Sequence, residues 1–412
     1  MKTFAPANIL LPKNVSFEKW AVIACDQFTS QPEYWKRVRK NVGEAVSTLN
    51  LVFPEAELNV DRAERIKSIN ENMAKYLAED IFTEYKDSYV YVERTLKNGV
   101  VRKGIVGVID LEQYDYNADS KSAIRATEQT VLERIPPRVE IRRNASMELP
   151  HVLLLCDDEK ERIIEPLTAK KAELPKIYDF DLMEGGGHIE GYLLQGTEVD
   201  AINEAIAAYE EDLFAKYEGS GKAPMTYAVG DGNHSLATAK ACYEELKAKC
   251  GAENVANHPA RFALVELENI YDEAQVFEPI HRLLTNVDVK ALLENLQAEI
   301  GGNGTAVKWF ANGEAGELKI NDENGELPLE VIQVVLDKYL KANAGEIDYI
   351  HGDETLEQLS QKENTIGFLM PNVTKNAFFE NIVNNGVMPR KTFSMGEAEE
   401  KRYYLEGRRI VE

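Results

Sequence analysis

The sequence predicts a mixed α/β (α+β) protein in which helices flank mixed sheets. Short apolar runs alternate with amphipathic stretches, as is typical of chains that combine strands with helices. Two strand-like runs, Ser88–Leu96 and Val100–Ile109, flank Asn98-Gly99, which is a strong hairpin signal. In residues 66–77, apolar side chains recur at helical spacing. These three observations together indicate both kinds of secondary structure within one chain.

The remaining elements are predicted in order from apolar periodicity and from glycine and proline punctuation. In the N-terminal half we expect a buried strand at Trp20–Cys25, a helix from Pro32 to Lys40, a helix from Ala126 to Arg134 that stops at Pro136-Pro137, optionally followed by a second polar helix up to Asn144, a strand at His151–Cys156, a hairpin of Lys176–Leu182 with His188–Leu194, and a helix at Val199–Tyr217. In the C-terminal half we expect strands at Met225–Val229, Arg261–Leu267, Val307–Phe310 and Thr365–Met370, and helices at His234–Lys249, Val287–Ile300, Leu329–Ala342 and Lys375–Asn384.

The length of 412 residues predicts two or three domains. Gly219-Ser220-Gly221 has the composition of a flexible linker. We therefore expect an N-terminal mixed α/β region over residues 1–218 and a C-terminal mixed α/β region over residues 222–412. A tight linker inside one domain would give the same pattern.

Composition excludes several classes of protein. The net charge of −23 disfavours a nucleic-acid partner, because acidic surfaces repel phosphate backbones. No apolar run is long enough to span a bilayer, and the first residues show no apolar leader. We therefore expect a cytoplasmic protein without a membrane partner. Its few, widely spaced cysteines favour reduced thiols over disulfides or a structural zinc site: Cys25, Cys156, Cys242 and Cys250.

The sharpest local signal is residues 227–235, which read Tyr-Ala-Val-Gly-Asp-Gly-Asn-His-Ser. A buried strand is expected to enter a glycine-rich turn, and a helix is expected to start at once. The first N–H groups of such a helix lack intrahelical partners and its dipole favours negative charge, so a phosphate or carboxylate is the natural ligand. Gly230 and Gly232 permit a positive φ and close approach of the backbone to a ligand. Asp231 and His234 can transfer protons, and Asp231 is the candidate metal ligand.

The same stretch has a purely structural interpretation, in which Asn233 caps the helix and the glycines only shape the turn. Polar side chains crowd this turn, including one of only six histidines, and this crowding favours the functional interpretation. The candidate catalytic residues here are Asp231 and His234, and the candidate cofactor-binding residues are Gly230, Gly232, Asn233 and Ser235.

Three segments, in a fixed order, resemble an uncharacterised bacterial family, that of domain of unknown function 1015 (DUF1015). Gly230–Ser235 resembles the Asp-Gly-His-His-Arg segment of the family. Pro279–Arg282 matches its Pro-x-His-Arg segment, and Met388–Thr392 matches its Met-Pro-x-Lys-Ser/Thr segment. The strand and polar loop at Ile23–Ser30 and the strand at Lys103–Gly107 also resemble the family, so the matches span nearly the whole chain and identify it as a member. Membership by itself assigns no activity.

Residues 225–250 are also similar, more distantly, to the Gly-x-His-Arg phosphate site of the ParB and sulfiredoxin superfamily, which includes free-serine kinases. In that superfamily these residues hold nucleotide phosphates, so the resemblance implies phosphate contacts for Gly232 and His234. Ser235 stands where the arginine would be, which removes a bidentate phosphate clamp. The cations that are candidates to replace its charge are Lys240, Arg282 and Lys391.

Two remote segments and one loop add candidates. His281 is a third candidate catalytic residue, although a histidine satisfied by structural partners is about as common. Arg282, Lys391 and Thr392 are candidate cofactor-binding residues, because cations and a hydroxyl suit an anionic ligand; solvated surface cations are the alternative. Asp26 follows a predicted strand at the end where open α/β sheets place ligands, although its loop would equally serve to introduce the next helix.

Together these observations predict a nucleotide- or phosphate-dependent small-molecule enzyme, phosphotransferase-like, with an anion site at Gly230–His234. ATP or ADP with Mg²⁺ is the expected cofactor, and an anionic small molecule is the expected ligand. One alternative is a metal-assisted hydrolase that uses Asp231, His234 and His281. Another is a non-catalytic module that binds an anionic metabolite. The sequence leaves the substrate and the oligomeric state open, a homo-oligomer included.

Overall fold

A computed structural model of the chain describes residues 2–57, 61–322 and 326–411 and shows the expected mixed α/β architecture. Its α-helices are α1 (Phe17–Trp20), α2 (Pro32–Val42), α3 (Arg62–Ala78), α4 (Ile135–Arg142), α5 (Glu165–Lys170), α6 (Thr197–Tyr217), α7 (Asn233–Cys250), α8 (Val289–Ile300), α9 (Pro328–Ala342), α10 (Asp353–Leu359) and α11 (Lys375–Asn385).

Its β-strands are β1 (Phe4–Ala5), β2 (Ala7–Pro12), β3 (Val22–Ile23), β4 (Phe82–Thr95), β5 (Val101–Asp110), β6 (Tyr114–Asp115), β7 (Ile124–Ala126), β8 (Met147–Glu148), β9 (Leu153–Cys156), β10 (Lys176–Asp181), β11 (His188–Leu194), β12 (Tyr227–Asp231), β13 (Phe262–Asn269), β14 (Phe277–Pro279), β15 (His281–Thr285), β16 (Gly301–Ala311), β17 (Glu314–Ile320), β18 (Glu346–Ile350), β19 (Ile366–Leu369), β20 (Phe393–Met395), β21 (Tyr403–Tyr404) and β22 (Arg408–Arg409).

The chain forms two compact units. The first comprises residues 1–126, 130–275 and 397–412, and the second comprises residues 127–129 and 276–396. The second unit is thus inserted into the first, which the chain re-enters at its C-terminal end. Residues 219–221 lie inside the first unit. The predicted domain boundary between 218 and 222 stays a prediction.

The first unit is built on a mixed sheet of eleven described strands. Its main path runs β10-β11-β4-β5-β13-β9-β12-β7-β6, with β1 added to β5 and β2 added to β4. The predicted hairpin is confirmed, because β4 and β5 pair antiparallel with Val90 opposite Val106. Pairs β13/β9, β12/β7 and β6/β7 are parallel, which makes the sheet mixed.

The sheet of the first unit has a hydrophobic core on each face. Val90 and Val92 join a core that includes Met73 of α3, whereas Tyr89 and Tyr91 join one that includes Leu236 of α7. Successive side chains of a strand point to opposite faces, so neighbouring residues of β4 enter different cores. This arrangement fixes α7 against one face and leaves its N-terminus at the end of β12.

The second unit contains an antiparallel sheet in the order β17-β16-β19-β15-β18. The amphipathic helices α8 and α9 bury leucine and isoleucine side chains, among them Leu292, Leu296, Ile332 and Leu336, in the core of this unit. The segment that begins β15 carries His281 and Arg282, both of which are buried.

Two sequence predictions were wrong in detail. The expected helix at Ala126–Arg134 is absent apart from a 3₁₀ turn at Leu132–Arg134. The second helix expected up to Asn144 is present as α4, which starts at Ile135 and contains the two prolines. In the first turn of a helix the backbone N–H groups have no intrahelical acceptor. Two prolines, which lack this N–H, are therefore tolerated there. The run Trp20–Cys25 is largely buried, but only Val22–Ile23 forms a strand. Within the described ranges, no helix is long and apolar enough to cross a membrane.

Candidate functional site

The β12–α7 junction is the strand-to-helix turn that the sequence predicts. Strand β12 runs to Asp231, Gly232 adopts φ +80° and ψ +25°, and α7 begins at Asn233. Gly230 lies within the strand, so the chain turns at one glycine rather than at two. The first bond of the helix is the one that Leu236 N–H donates to the Gly232 carbonyl, at 3.0 Å.

Gly232 is required by both its backbone conformation and its surroundings. A Cβ at this position would lie 3.0 Å from Val152 Cα and 3.1 Å from Val152 Cγ2. The left-handed conformation also strains any residue with a side chain. The chain therefore turns tightly over the residue that precedes β9, which brings the N-terminus of α7 close to His151.

The N-terminus of α7 has the properties of an anion site. The helix is 18 residues long, and its N-cap position carries no side-chain oxygen because it is a glycine. Asn233, His234 and Ser235 form the first turn and are all partly exposed. The buried Asn233 Oδ1 has no hydrogen-bond partner among the described residues, so Asn233 is not the cap that the structural interpretation assumed. Backbone N–H groups at such a helix start favour a phosphate or carboxylate.

His234 is held by the main chain around it. Its Nε2 accepts a hydrogen bond from the backbone N–H of Val131 at 3.3 Å, and its carbonyl accepts one from the Thr238 hydroxyl at 2.7 Å. An Nε2 atom that accepts carries no proton, so in the neutral ring the proton is on Nδ1. His234 thus presents a fixed ring at the helix start.

Asp231 is paired with a lysine from the C-terminal segment of the first unit. Its Oδ1 accepts the backbone N–H of Gly232 at 2.9 Å, and its Oδ2 lies 3.4 Å from Lys401 Nζ. The side chains of Asp231 and Lys401 are 22% and 15% exposed, so the ion pair is only partly screened by solvent. Lys401 places a positive charge beside the anion site, a charge that Ser235 does not supply.

Asp26 joins this group because β21 pairs with β3. Tyr403 lies opposite Ile23, and Ala24 N–H donates to the Arg402 carbonyl at 2.9 Å, which brings the loop after β3 next to Lys401. Burial raises the pKa of Asp26, but the charges of His151 and Lys401 and a hydrogen bond from the side chain of the next residue outweigh burial and hold the pKa below its ordinary value. Asp26 is therefore a carboxylate at neutral pH.

The buried side chains of His151 and Tyr404 and the partly buried Cys25 form a polar row beside Asp26. The Tyr404 hydroxyl lies 3.1 Å from His151 Nδ1 and accepts the backbone N–H of Cys25 at 3.1 Å. Burial raises the pKa of the Cys25 thiol to about 11, so this cysteine is not a thiolate nucleophile at neutral pH.

Arg94 anchors the segment that carries Lys401. Its guanidinium is 2% exposed and donates to the carbonyls of Gly186, Glu399, Glu400 and Lys401. Burial lowers its pKa to about 9, so the group remains charged at neutral pH. Because all these acceptors are main-chain atoms, Arg94 fixes the path of the backbone and thereby the position of Lys401.

In the second unit, His281 and Arg282 are both buried, and their side chains form hydrogen bonds with other residues of the protein. His281 Nδ1 accepts the N–H of Met370 at 3.1 Å, and its Nε2 lies 3.0 Å from Asp353. Burial lowers the pKa of His281, which favours the neutral ring. Arg282 donates to Gln333 Oε1 and to the carbonyls of three residues: Ile280, Arg390 and Lys391.

Lys391 and Thr392 lie in a loop of the second unit. Arg282 stabilises this loop by donating hydrogen bonds to the main-chain carbonyls of Arg390 and Lys391. Lys391 has φ +60°, and the Thr392 hydroxyl donates to the Pro389 carbonyl at 2.6 Å. Glu128 accepts the backbone N–H of Thr392 at 3.3 Å. Arg282, Lys391 and Thr392 therefore lie together, as their shared chemistry suggested.

The predicted site residues thus form two groups. Gly230, Gly232, Asp231, Asn233, His234 and Ser235 meet at the β12–α7 junction of the first unit, whereas His281, Arg282, Lys391 and Thr392 belong to the second. A single site that contains both groups stays a prediction.

A second cluster of metal-ligating side chains occurs on the β10–β11 hairpin. Among the described residues, Asp179, His188 and Glu190 offer ligand atoms that all lie within 4.8 Å of one another. Lys176 Nζ already lies 2.6 Å from Asp179 and also contacts Glu190, so a cation of the protein occupies this place. This cluster belongs to the exposed end of the sheet.

Comparison with known proteins identifies the family. The family model "Protein of unknown function (DUF1015)" matches residues 6–406, which is nearly the whole chain. The chain belongs to this family. No curated protein matches it.

Solved structures resemble this DUF1015 chain at low sequence identity. A conserved hypothetical protein from Pyrococcus furiosus is 14% identical, with coverage of 72% of this chain and 90% of that one and a TM-score of 0.34. A mutant free serine kinase in complex with ADP is 12% identical, with coverage of 77% and 95% and a TM-score of 0.38. SbnI with a C-terminal truncation, from Staphylococcus aureus, is 11% identical, with coverage of 71% and 83% and a TM-score of 0.36.

Sequence reasoning missed part of the candidate site of this DUF1015 member. His151 has no second histidine at the spacing of a metal motif, and Lys401 lies in a charged C-terminal stretch without a motif of its own. Asp26 had a signal, its position after a buried strand, but its loop fitted a structural role equally well. The β3–β21 pairing, which joins positions about 380 apart in the chain, brings Asp26 next to Lys401, whereas the β9–β12 pairing brings His151 next to the Gly232 turn.

Proposed function

We propose that this protein is a nucleotide- or phosphate-dependent small-molecule enzyme, phosphotransferase-like, whose anion site is the N-terminus of α7. One observation carries the proposal: the glycine-capped start of α7 lies beside the Asp231–Lys401 ion pair, and Lys401 also acts electrostatically on the Asp26 carboxylate. Backbone N–H groups and an ammonium suit a phosphate, and carboxylates suit a metal or a hydroxyl proton. The proposed cofactor is ATP or ADP with Mg²⁺.

The carboxylate of Asp231 is the reason for including Mg²⁺. An anion bound at the first turn of α7 would lie near this negative side chain, which is unfavourable unless a cation lies between them. Asp231 is the residue that would hold the ion, since Mg²⁺ prefers carboxylate and phosphate oxygens. When bound, the ion would neutralise charge on the phosphates.

The chain's own residues supply binding, orientation and proton transfer. The first-turn N–H groups and Lys401 bind phosphate oxygens, and Arg94 keeps Lys401 in place. In the proposed transfer, a substrate hydroxyl oxygen bonds to the terminal phosphorus, the bond to the bridging oxygen of the nucleoside diphosphate breaks, and the hydroxyl proton passes to a carboxylate. Asp26 is ionised at neutral pH and is the proposed acceptor of that proton.

A metal-assisted hydrolase built on Asp231, His234 and His281 has weaker support. Both ring nitrogens of His281 already take part in hydrogen bonds, so neither offers a lone pair to a metal. A non-catalytic module for an anionic metabolite shares the same anion site and differs only in the absence of turnover.

Phosphoryl transfer is tested by ³¹P NMR with ATP, Mg²⁺ and a pool of small hydroxyl-bearing metabolites. The proposal predicts conversion of ATP to ADP together with new phosphomonoester resonances. It also predicts that Asp231→Asn abolishes both, whereas Asp212→Asn, which removes an exposed paired carboxylate of α6, leaves them unchanged. ADP binding without any turnover across the pool would favour the non-catalytic module instead.

A further inference from the structure

A cavity of about 140 Å³ lies in the first unit, directly beside the candidate site. Phe53, Met73 and Met147 are among the apolar side chains that line it, together with the polar side chains of His151 and Ser235. The three apolar side chains are buried, whereas Ser235 is partly exposed. The charged side chains of Arg138, Arg142 and Glu148 also line it, so an apolar part around Phe53, Met73 and Met147 adjoins polar and charged walls.

The volume of the cavity limits what it can hold. An apolar cavity of about 150 Å³ accommodates one benzene molecule and stays free of water. A space of 140 Å³ thus fits one aromatic ring or one branched alkyl group of similar size. It is too small for the base and ribose of a nucleotide, so it is not the nucleotide site.

His151 offers a hydrogen bond to whatever enters this cavity. The residue is 8% exposed, and its Nε2 has no hydrogen-bond partner among the described residues. The Tyr404 hydroxyl is hydrogen-bonded to His151 Nδ1, so Nε2 is the ring nitrogen that remains for a ligand. Depending on the tautomer, Nε2 donates a hydrogen bond to such a ligand or accepts one from it.

We propose that this cavity is the acceptor subsite of the enzyme, and that its substrate is a small molecule with one compact apolar group and a hydrogen-bonding head. The apolar group fills the space between Phe53, Met73 and Met147. The head forms a hydrogen bond with His151 Nε2 and lies against Ser235, at the first turn of α7 where the phosphate would be bound. This inference rests on the proposed function, because only the phosphate site makes the cavity an acceptor site.

The proposal is tested with two phosphate esters that differ only in the apolar group, phenyl phosphate and methyl phosphate, as mimics of a phosphorylated product. We expect calorimetry to show phenyl phosphate binding at least tenfold more tightly, which corresponds to about 1.4 kcal/mol. Ala145→Leu adds side-chain volume to the cavity wall and should remove this preference while methyl phosphate binds as before. Ala215→Leu, at an exposed position of α6, should leave the preference unchanged.

If Ala145→Leu does not fold, the proposal can still be tested on the wild-type protein by NMR. With ¹³C-labelled methionine methyl groups, phenyl phosphate should shift the Met73 and Met147 resonances, and methyl phosphate should not. Equal affinity for the two esters, or unmoved Met73 and Met147 signals on saturation with phenyl phosphate, overturns the cavity assignment and leaves the anion site standing. If neither ester binds while phenol still moves both signals, the anion site itself fails and the acceptor role falls with it.

Discussion

Lys401 matters at the scale of single residues because it supplies the positive charge that the chain lacks at Ser235. A serine cannot replace the charge or the fork geometry of an arginine, and the ammonium of Lys401 lies 3.4 Å from Asp231, at the start of α7. The charge reaches the site from a segment that is remote in sequence. In the proposed site, Lys401 would therefore supply the charge that the phosphate motif places at the position of Ser235.

Replacing Lys401 with glutamine should weaken ADP binding about tenfold or more, because a hydrogen bond to a charged partner contributes about 1.5–3 kcal/mol. The affinity that remains should depend less on salt concentration, since one charge contact is gone. Both quantities are measured by calorimetric titration at several salt concentrations. Lys160→Gln removes another lysine that is paired with an aspartate, and it should bind like the wild type. Equal losses in the two variants would show that only the net charge matters.

Single residues also show how far sequence reasoning reaches. Gly232, Asp231 and Ser235 became candidate site residues because a glycine, an acidic residue and a hydroxyl-bearing residue lie close together at a predicted strand-to-helix junction. His151 and Lys401 were not, because neither has a neighbour in sequence that shares its role. Their roles arise from contacts across the fold, and no local spacing encodes those contacts.

At the scale of elements, the C-terminal segment from 397 to 406 completes the candidate site. Arg94 binds its carbonyls from β4, and Arg402 pairs with Glu266 at 2.6 Å and with Glu406 at 2.7 Å. Buried charge pairs of this kind are costly to break, because the remaining partner keeps its desolvation penalty. The segment is thus held in one path, which sets where Lys401 lies.

Arg94→Lys should loosen this segment and weaken ADP binding several-fold, although Arg94 is assigned no contact with the ligand. One ammonium cannot donate to four carbonyls that a planar guanidinium spans. Hydrogen exchange of residues 397–406 measures the loosening, and calorimetry measures the affinity. Arg37→Lys, at an exposed ion pair of α2, is the matched control and should change neither. If hydrogen exchange of residues 397–406 became faster while ADP affinity stayed the same, the position of Lys401 would not matter for ADP binding.

Strand β13 carries a buried carboxyl whose protonation should make stability depend on pH. Burial raises the pKa of Glu268 to about 8, although Arg102 Nε lies 3.0 Å away and favours the carboxylate. Between about pH 4.5, where the unfolded chain loses this proton, and pH 8, the folded chain still holds it. The free energy of unfolding contributed by Glu268 therefore falls as the pH rises through that window.

Glu268→Gln should remove this part of the pH dependence, because the amide stays neutral in both states. The expected result is a smaller fall in the thermal midpoint between pH 5 and pH 8 than in the wild type. Glu204→Gln, at an exposed position of α6, should follow the wild type. A Glu268→Gln profile parallel to that of the wild type would mean that Arg102 keeps Glu268 ionised throughout.

Elements with a strong local signal were predicted well, and those that depend on tertiary pairing were not. The β4–β5 hairpin follows from Asn98-Gly99, and α7 follows from the glycine and the apolar spacing after it. The short strands β3 and β21 have no periodicity of their own and exist because they pair with each other. Local propensity is a weak guide for strands of two residues.

At the scale of the whole molecule, the negative net charge means that anion binding, if it occurs, must be confined to a local site. A net charge of −23 disfavours binding of anions over most of the surface, so selective anion binding requires donors concentrated at one place. The start of α7 with Lys401 is such a place in the first unit. A contribution of Lys391 from the second unit stays a prediction, which the effect of Lys391→Gln on ADP affinity would test.

The measurement that tests the central claim most directly is calorimetric titration of ADP with Mg²⁺ into wild type, Gly232→Ala and Gly219→Ala. Both glycines have a positive φ, but only at Gly232 would a Cβ meet another backbone atom, Val152 Cα at 3.0 Å. We predict that the wild type binds, that Gly219→Ala binds equally well, and that a folded Gly232→Ala binds at least tenfold more weakly, which is about 1.4 kcal/mol. A wild type that does not bind, or a Gly232→Ala variant with unchanged affinity, would contradict the assignment of the α7 N-terminus as the anion site.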